Sequence, residues 1–311
     1  MAGGANAELT NTPPPAPRAD VDVCVCTFRR PALADTLRGL AAQNLDGLSM
    51  RVVVADNDTT PSARTLAEGV ARETGLRLCY VHAPEQNISV ARNACLDAVD
   101  APLAAFVDDD EVPAADWLAS LVRRQRSTDA DVVLGRVNAV YAADAPEWMR
   151  RQDLHSTRAV VRCDGTIDTG YTCNVLFRTT VLHGRRFDPA LGRTGGEDTL
   201  FFHALHAAGA RIVEAPEAVV AEAVPPARAR MGWLVARAFR SGQTHALMLR
   251  AQGLARPRIL ALAVAKAGWC AAAALGKAVA LQPDWRRLVV RGALHAGVVA
   301  RSLGRRELQL Y

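Results

Sequence analysis

From residue 21 onward, short apolar runs alternate with amphipathic stretches of about a dozen residues. The apolar runs have the length of β-strands, and the stretches that follow them have the period of helices. Strands that alternate with helices predict βαβ units, and therefore a mostly parallel sheet with right-handed crossovers. The predicted strands are 21–28, 51–55, 76–81 and 103–107, and the predicted helices are 31–43, 61–74, 88–99 and 114–126.

The pattern is less regular in the next part of the chain, which contains a glycine-rich loop at 192–198. Glycines let such a loop approach a ligand closely. The last two residues of the loop, Glu197 and Asp198, are expected at the start of a helix, where negative charge is stabilised. The predicted elements of this part are β-runs at 132–140, 171–178 and 211–215 and a helix at 199–208.

Polar side chains follow each predicted strand of the first region, at the point where the strand ends. The four sets are Thr27 with Arg29, then 56–58, 85–87 and 108–111. The carboxyl ends of parallel strands meet at one edge of a sheet, and ligands of such sheets bind there. The sequence therefore predicts a ligand site at this edge.

The last set consists of four consecutive acids, 108–111, directly after an apolar run. Like charges this close repel one another, so a fold keeps them together chiefly where a cation offsets them. A carboxylate-only cluster suits Mg²⁺ or Mn²⁺, whereas zinc would be expected to recruit Cys or His. The alternative is a solvated acidic turn before a helix that starts near Pro113, with Asp110 or Glu111 favouring the helix N-terminus.

Composition and cysteine content indicate an ordinary globular protein. Half of the 311 residues are apolar, which allows one large or two modest domains with a sizeable core. The seven cysteines show no zinc-finger spacing, which favours reduced thiols in a cytoplasmic protein. Residues 1–20 are rich in Ala, Pro, Asn and Thr and lack the features of an export signal. They are predicted to form a disordered leader.

The formal charge of +5 conceals two regions of opposite sign. Residues 225–311 contain 15 Lys and Arg against 2 acidic residues, whereas the rest of the chain contains 22 against 30. This asymmetry implies different partners for the two regions. The basic region lacks a recognised nucleic-acid fold or stacking motif, so nucleic acid is not an expected partner. Its predicted helices are 231–249, 259–281 and 285–303.

Six motifs follow one another in the order Cys26-Thr27-Phe28-Arg29-Arg30, Val54-Ala55-Asp56-Asn57-Asp58, Asn87-Ile88-Ser89-Val90-Ala91-Arg92-Asn93, Phe106-Val107-Asp108-Asp109-Asp110, Asn174-Val175-Leu176-Phe177-Arg178 and Gly195-Gly196-Glu197-Asp198. This order resembles inverting family 2 glycosyltransferases of the GT-A fold, especially enzymes that assemble bacterial exopolysaccharides such as succinoglycan. The resemblance implies an α/β fold whose mostly parallel nucleotide-binding sheet is flanked by helices. It divides the chain into a leader (1–20), a GT-A catalytic domain (21–224) and a basic helical tail (225–311).

The resemblance implies a role for each polar set at the strand ends. Thr27 and Arg29 would line the nucleotide pocket, and Asp56 would accept a hydrogen bond from the uracil N3–H of a UDP-sugar. Arg92 would lie near the nucleotide, where its planar guanidinium suits phosphate or acidic partners. Two of these residues have simpler alternatives: Asp56 in an Asx turn with Asn57, and Arg92 as a surface charge of an amphipathic helix.

In the acid cluster the resemblance assigns Asp108 to ribose or sugar hydroxyls and Asp110 to the cation, Mg²⁺ or Mn²⁺. Asp109 is counted with the nucleotide-sugar-binding residues. Because the three acids are adjacent, the resemblance leaves the assignment of roles among them open by one position. The ion would offset charge on the departing nucleoside diphosphate. Asp198 would be the base that removes the acceptor hydroxyl proton. Glu197 would contact the acceptor or raise the pKa of Asp198 by repulsion, although both acids could instead stabilise the helix N-terminus.

The tail contains a predicted helix, 259–281, that is long enough to cross a bilayer but includes Lys266 and Lys277. Because these lysines share nearly the same helix face, an amphipathic helix lying on a membrane explains them better than a span. The flanking arginines suit an anionic surface at the cytoplasmic face of the inner membrane. The alternative is a helical subdomain that packs on the sheet or forms a dimer.

The sequence thus predicts a metal-dependent hexosyltransferase that uses a UDP-sugar and a lipid-linked or oligosaccharide acceptor. Processive members of the resembling family carry Gln-x-x-Arg-Trp after the base. This chain reads Arg228-Ala229-Arg230-Met231-Gly232-Trp233 there, so we expect one sugar to be transferred per encounter. Two alternatives stay open. A nucleotidyltransferase would need the cation but no acid at position 198, and a glycosyltransferase-like scaffold would bind nucleotide or membrane without turnover.

Overall fold

The structure, a computed structural model, describes residues 17–308. Residues 1–16, which make up most of the predicted leader, and residues 309–311 lie outside this range. Within it, Ala19 is buried, and the carboxylate of Asp20 accepts a hydrogen bond from the Ser49 amide (2.8 Å). The last residues of the predicted leader therefore contact the sheet domain.

The described residues form one sheet with helices on both faces, followed by three long helices. The strands are β1 (Val21–Thr27), β2 (Met50–Asp56), β3 (Leu78–His82), β4 (Leu103–Val107), β5 (Glu111–Pro113), β6 (Val132–Tyr141), β7 (Asn174–Arg178) and β8 (Ile212–Val224). The helices are α1 (Leu33–Ala41), α2 (Arg64–Thr74), α3 (Ile88–Ala98), α4 (Trp117–Thr128), α5 (Glu147–Gln152), α6 (Glu197–Ala207), α7 (Met231–Ala251), α8 (Arg256–Val279) and α9 (Trp285–Ser302).

The strand order is β3-β2-β1-β4-β7-β6-β8-β5. The first four strands in this order are parallel, as the βαβ pattern predicts, and β6 is also parallel to β8. The pairs β4–β7, β7–β6 and β8–β5 are antiparallel. The sheet is therefore mixed, with its parallel half formed by the predicted βα units.

The largest differences from the predicted elements occur just after the acid cluster and in the last strand. The helix expected near Pro113 begins at Trp117, because Glu111–Pro113 first form β5, which pairs with β8. The expectation that Asp110 or Glu111 stabilises that helix N-terminus is therefore wrong. Strand β8 continues nine residues beyond the predicted end at 215: residues 215–218 form an irregularity opposite Gly135 of β6, and the pairing resumes at Val219.

Two hydrophobic layers cover the two faces of the sheet. Val23 and Val25 of β1 face the layer that contains α1 and α4, whereas Cys24 between them faces the layer that contains α3 and α6. This alternation follows from the two-residue period of a strand. All seven cysteines are free, as predicted, and the Sγ atoms of Cys26 and Cys95 lie 3.9 Å apart.

The tail consists of α7, α8 and α9. Helix α9 packs along α7, and α8 packs along α9, so α8 is the outer helix of the three. Glycines let α7 and α9 approach closely: a Cβ atom on Gly242 would lie 1.8 Å from the Leu294 carbonyl oxygen, and one on Gly297 would lie 1.9 Å from that of Phe239. The predicted C-terminal helical extension is therefore present among the described residues.

Candidate active site

Strands β1, β2 and β4 bring three of the predicted site residues to one edge of the sheet. Thr27 ends β1, Asp56 ends β2, and Asp108 follows β4 directly. The hydroxyl of Thr27 donates to Oδ2 of Asp109 (2.7 Å), which ties the end of β1 to the acid cluster. The structure therefore gathers these side chains as the strand order predicts.

A tight turn holds the acid cluster in place. The amide of Asp108 donates to Oε2 of Glu111 (2.9 Å), and the amide of Glu111 donates back to the carbonyl oxygen of Asp108 (3.3 Å). Glu111 is buried, Asp109 is nearly so, and Asp108 and Asp110 are half-buried. The four acids are therefore not a solvated turn.

The folded protein disfavours the charged forms of these acids. Burial, and secondarily the charges of Asp110 and Asp109, raise the pKa of Asp108 to about 7. Burial raises the pKa of Asp109 to about 6, although its hydrogen bond from Thr27 opposes the change. Burial and the charge of Asp108 raise the pKa of Glu111 well above its ordinary value. A bound cation would stabilise the charged forms of all three.

One cation of the chain already contacts the cluster. The guanidinium of Arg30 donates to Oδ2 of Asp110 through Nη1 (2.7 Å), and its Nε lies 3.2 Å from Oδ1 of Asp109. Arg30 follows β1, three residues before α1 begins, and has no role in the sequence-based assignments beyond its place in the first motif.

Asp56 and Arg29 are both engaged in the loop after β2. Asp56 is fully buried, and its carboxylate accepts hydrogen bonds from the Asp58 amide (3.0 Å), the Ala63 amide (2.7 Å) and the Tyr80 hydroxyl (2.6 Å). Arg29 pairs with Asp58 (2.8 Å). The bond to the Asp58 amide is an Asx turn of the kind considered as the alternative, closing on Asp58 and not on Asn57. Uracil recognition by Asp56 stays a prediction.

Arg92 joins the acid cluster to the glycine-rich loop. It lies on α3 and forms a buried ion pair with Glu197 in the first turn of α6. Burial alone would lower the pKa of Arg92, but the charges of Glu197, Asp198 and Asp108 raise it. Acids from both segments thus act on Arg92. Because Arg92 is buried, the alternative that it is a surface charge is wrong.

Asp198, the predicted base, lies beside this ion pair at the start of α6. The amide of Thr199 donates to its Oδ1 (2.6 Å). Burial and the neighbouring charge of Glu197 raise its pKa. Across residues 17–308, Oε2 of Glu197 is buried and has no hydrogen-bond partner. The predicted placement of both acids in the first helical turn is confirmed.

The tail contacts the loop that carries these acids. Nη1 of Arg240 in α7 donates to the Thr194 carbonyl oxygen (3.0 Å). A Cβ atom on Gly195 or Gly196 would overlap Arg240 or Thr244, and both glycines have a positive φ (84° and 95°). Helix α7 therefore packs directly on the loop, a contact that no local sequence signal indicated.

Sequence reasoning also missed Glu222 on β8. It lies opposite Glu111 in the antiparallel β5–β8 pair and accepts a hydrogen bond from Arg228 (2.9 Å). Burial and the charge of Asp110 raise its pKa. Two glutamates across a strand pair are normally unfavourable, and Arg228 supplies a positive charge beside this pair. The available signal was the alternating run that continues beyond Pro216.

The donor set fits a hard cation that keeps ligands from a substrate. Within the described residues, no three His, Cys, Asp or Glu side chains converge as a complete metal site. Mg²⁺ and similar ions are typically held by one or two carboxylates together with water and substrate phosphates. Asp110 is half-buried among Asp109, Glu222 and Arg30, so its carboxylate fits the role of such an oxygen ligand.

Comparison with known proteins gives the family. Residues 22–185 match the family model described as glycosyl transferase family 2. The chain is 49 % identical over 296 residues to the succinoglycan biosynthesis protein ExoM of Rhizobium meliloti (strain 1021), a match that covers 94 % of this chain and 95 % of that protein. It is 24 % identical over 250 residues to a glucosyl-dolichyl phosphate glucuronosyltransferase of Haloferax volcanii, covering 73 % and 77 %.

Solved structures confirm the predicted GT-A fold. The mannosyltransferase PcManGT from Pyrobaculum calidifontis, in complex with GDP-Man and Mn²⁺, matches with a TM-score of 0.64 and 23 % identity over 94 % of this chain and 89 % of that one. TarS residues 1–349 from S. aureus, in complex with UDP-GlcNAc, matches with a TM-score of 0.55 and 18 % identity over 92 % of each chain. Since the family model spans over half of the sequence and the ExoM match spans nearly all of it, this chain belongs to glycosyl transferase family 2.

Proposed function

We propose that this chain is an inverting, cation-dependent glycosyltransferase of bacterial polysaccharide synthesis. It transfers one hexose per encounter from a UDP-sugar to a lipid-linked or oligosaccharide acceptor. The observation that carries the proposal is the buried ion pair of Arg92 with Glu197, the residue next to Asp198. The charges of both Asp108 and Asp198 raise the pKa of Arg92. This supports a shared site, here called the cleft, in which the acid cluster binds the nucleoside diphosphate and Asp198 acts as the base.

The relatives support the reaction class. ExoM is named for succinoglycan biosynthesis, and PcManGT and TarS are described with nucleotide sugars bound. These proteins carry different nucleotides and sugars. The choice of a UDP-hexose therefore rests on the motif resemblance and on Asp56, whose carboxylate would read the base edge.

In the proposed mechanism, Asp198 acts on the acceptor. Its carboxylate takes the proton of the acceptor hydroxyl while that oxygen forms a bond to the anomeric carbon. The bond from that carbon to the diphosphate breaks on the opposite side, and its electron pair leaves with the nucleoside diphosphate. The raised pKa of Asp198 suits this role, because a base must hold the proton it removes. Glu197, fixed by Arg92, keeps Asp198 in a negative environment.

At the donor end, Thr27 and Asp109 bind each other and shape the floor of the nucleotide pocket. Asp110 would hold Mg²⁺ or Mn²⁺, and Asp108 would contact ribose or sugar hydroxyls. When bound, the ion neutralises the charge that accumulates on the leaving diphosphate. Arg29 lies at the rim, paired with Asp58 and largely exposed, where it can reach the nucleotide.

A transfer assay with Asp198→Asn separates this function from its two alternatives. We expect UDP release from UDP-glucose or UDP-galactose, with a synthetic lipid-diphosphate-linked sugar as acceptor, to fall about 10²- to 10⁴-fold in the variant. UDP affinity should be retained. Asp116→Asn, the same change at an exposed acid, is the control. Undiminished transfer by Asp198→Asn would overturn the base assignment. Pyrophosphate release from UTP would indicate a nucleotidyltransferase. A protein that binds UDP but catalyses no turnover would be a scaffold.

We also propose that the tail holds the enzyme on an anionic membrane at the cytoplasmic face of the inner membrane. Of the described helices, α8 is long and apolar enough to cross a bilayer, and only 22 % of its most apolar 18 residues is buried. Its inner face packs on α9 through residues such as Ile259 and Cys270. Its outer face exposes the large apolar side chains Leu262 (47 %), Trp269 (61 %) and Leu275 (66 %).

The charges around α8 favour a lipid surface as the occupant of this outer face. Lys277 pairs with Asp284 (3.3 Å), and Lys266 lies beside Arg291 on the side of α9, so neither lysine interrupts the outer face. A cavity of about 300 Å³ at the N-terminal end of α8 is lined by three arginines, Arg250, Arg256 and Arg301. Apolar residues flanked by arginines match the interfacial layer of an anionic bilayer.

Vesicle flotation tests this placement. At low salt we expect the full chain to float with vesicles that contain phosphatidylglycerol and to stay in the soluble fraction with purely zwitterionic vesicles. Protein that remains soluble with both would contradict the proposal. A dimer that forms without vesicles and is lost on Leu275→Glu would assign the same face to a second copy of the chain.

A further inference from the structure

Arg30 occupies the position where a divalent ion is proposed to bind. Its guanidinium contacts carboxylate oxygens of both Asp109 (3.2 Å) and Asp110 (2.7 Å), and its charge also reaches Glu222. Arg30 therefore offsets negative charge on several acids at once.

We propose that Arg30 is a resident counter-ion that exchanges with the divalent ion at Asp110. The inference rests on the proposed role of Asp110 as the ligand of that ion. Because Nη1 of Arg30 binds Oδ2 of Asp110, a divalent ion at that oxygen would lie next to the guanidinium and repel it. Ion binding then carries the cost of breaking a charge-assisted hydrogen bond. The phosphates of the donor supply further ligands and offset this cost, so the ion binds well only together with the nucleotide.

The local structure allows Arg30 to move without unfolding its surroundings. The carbonyl oxygen of Arg30 accepts a hydrogen bond from the Leu33 amide (3.3 Å), which fixes the backbone at the start of α1. Its side chain is 37 % exposed, so the guanidinium has solvent to move into. Asp109 keeps its bond from Thr27 (2.7 Å) when Arg30 leaves, and so is not left without a partner.

The exchange accounts for how the acid cluster is stable before the donor binds. Burial and mutual repulsion disfavour the charged forms of Asp108 and Asp109, and Arg30 offsets part of this cost at Asp109. The same contact makes Arg30 a positioning residue for donor binding. It couples the ion to the nucleotide, because both must be present to replace what Arg30 supplies.

Mn²⁺ titrations followed by the electron paramagnetic resonance signal of the free ion test this proposal. We expect Arg30→Gln to bind Mn²⁺ without nucleotide at least about tenfold more tightly than the unaltered protein, since one hydrogen bond to a charged group no longer has to be broken. The enhancement of Mn²⁺ affinity by UDP should shrink by a similar factor. Arg30→Lys keeps the charge but not the forked geometry and should fall between the two.

The control is Arg38→Gln, which removes the same charge from the surface pair with Glu73. Circular dichroism establishes that each variant is folded, and Arg30→Lys carries the test if Arg30→Gln is not. The proposal is overturned if Arg30→Gln binds nucleotide-free Mn²⁺ no more tightly than the unaltered protein, or if Arg38→Gln gives an equal increase. If the unaltered protein binds no Mn²⁺ even with UDP, the ion site of the proposed function fails as well. If it binds and Asp110→Asn abolishes binding, that site stands regardless of Arg30.

Discussion

The cleft and the tail depart from the usual arrangement of a soluble protein in opposite ways. The cleft buries charge: Asp109, Glu111 and the ion pair of Arg92 with Glu197 are almost inaccessible to solvent. The tail exposes apolar surface along the outer face of α8. Buried charges and exposed apolar patches are both unfavourable in isolation, and both commonly mark functional sites.

The difference underlies the proposal of a separate kind of partner for each region. Repulsion among buried carboxylates is relieved by a cation and by donors such as those of Arg92, so the cleft favours a cation that arrives with a nucleoside diphosphate. An apolar face is unfavourable in water and becomes favourable in contact with an apolar phase. The arginines near α8 favour a membrane with an anionic surface. The four predictions that follow test one region or the other, from the largest expected effect to the smallest.

The largest effect is expected from breaking the buried ion pair in the cleft. Arg92→Met leaves Glu197 buried and unpaired, so the free energy of unfolding in urea should fall by about 3–5 kcal/mol. The double variant Arg92→Met with Glu197→Leu removes both partners and should recover most of the lost free energy of unfolding. Arg186→Met breaks an exposed pair with Asp97 and should cost about 1 kcal/mol or less. An equal loss of unfolding free energy in Arg92→Met and Arg186→Met would contradict the claim that burial makes the Arg92–Glu197 pair more important for stability than an exposed pair.

Asp110→Asn tests the cation directly. We expect kcat/KM to fall roughly a hundredfold, about 3 kcal/mol, because stabilisation of the leaving diphosphate is lost. Stimulation by Mn²⁺ should disappear while UDP affinity in chelator stays unchanged. Asp116→Asn again provides the matched control. Mn²⁺ stimulation that survives in Asp110→Asn would move the ion to another acid of the cluster.

In the tail, a charge on the outer face of α8 should weaken vesicle binding without affecting the cleft. Leu262→Glu with Leu275→Glu removes apolar area and adds negative charge, so partitioning to anionic vesicles should fall about tenfold or more. Transfer to a soluble oligosaccharide acceptor should be unchanged. Val160→Glu, at an exposed valine outside the tail, is the control. Equal vesicle binding by all variants would remove α8 from the membrane contact.

The smallest effect is a shift in the pH profile. Asp198 must be charged to accept a proton, so activity rises with pH through its raised pKa. Glu197→Gln removes the neighbouring negative charge and leaves Arg92 to interact with Asp198, so the pKa of Asp198 should fall. The acidic limb of kcat/KM should therefore move to lower pH. Glu147→Gln, an exposed surface change, should leave the limb in place, and an unmoved limb in Glu197→Gln would contradict the coupling.

The parallel half of the fold could be predicted from the sequence because its signals are local. Each strand from β1 to β4 is a short apolar run followed by a helical period, and the polar residues that close them lie at one edge, as expected. Asn87, the last residue of the polar set after β3, caps α3: its side chain accepts hydrogen bonds from the amides of Ser89 and Val90.

The rest depends on contacts between distant residues. Strand β5 has only three residues, and its partner β8 follows about a hundred residues later, so no local pattern reveals it. Glu222 and Arg240 enter the site through such long-range contacts. The contact of Arg30 with Asp110 could not be predicted for the same reason, since the two residues are 80 positions apart in sequence.

The most direct test of the central claim is a crystal structure with Mn²⁺ and UDP bound, with the ion located by its anomalous scattering. We predict a manganese peak within coordination distance of Asp110 and of the diphosphate, with Arg30 withdrawn from Asp110 and Asp198 facing the end of the diphosphate where the sugar would lie. A manganese ion bound away from residues 108–110, or a diphosphate in a pocket that Asp198 does not face, would contradict the account.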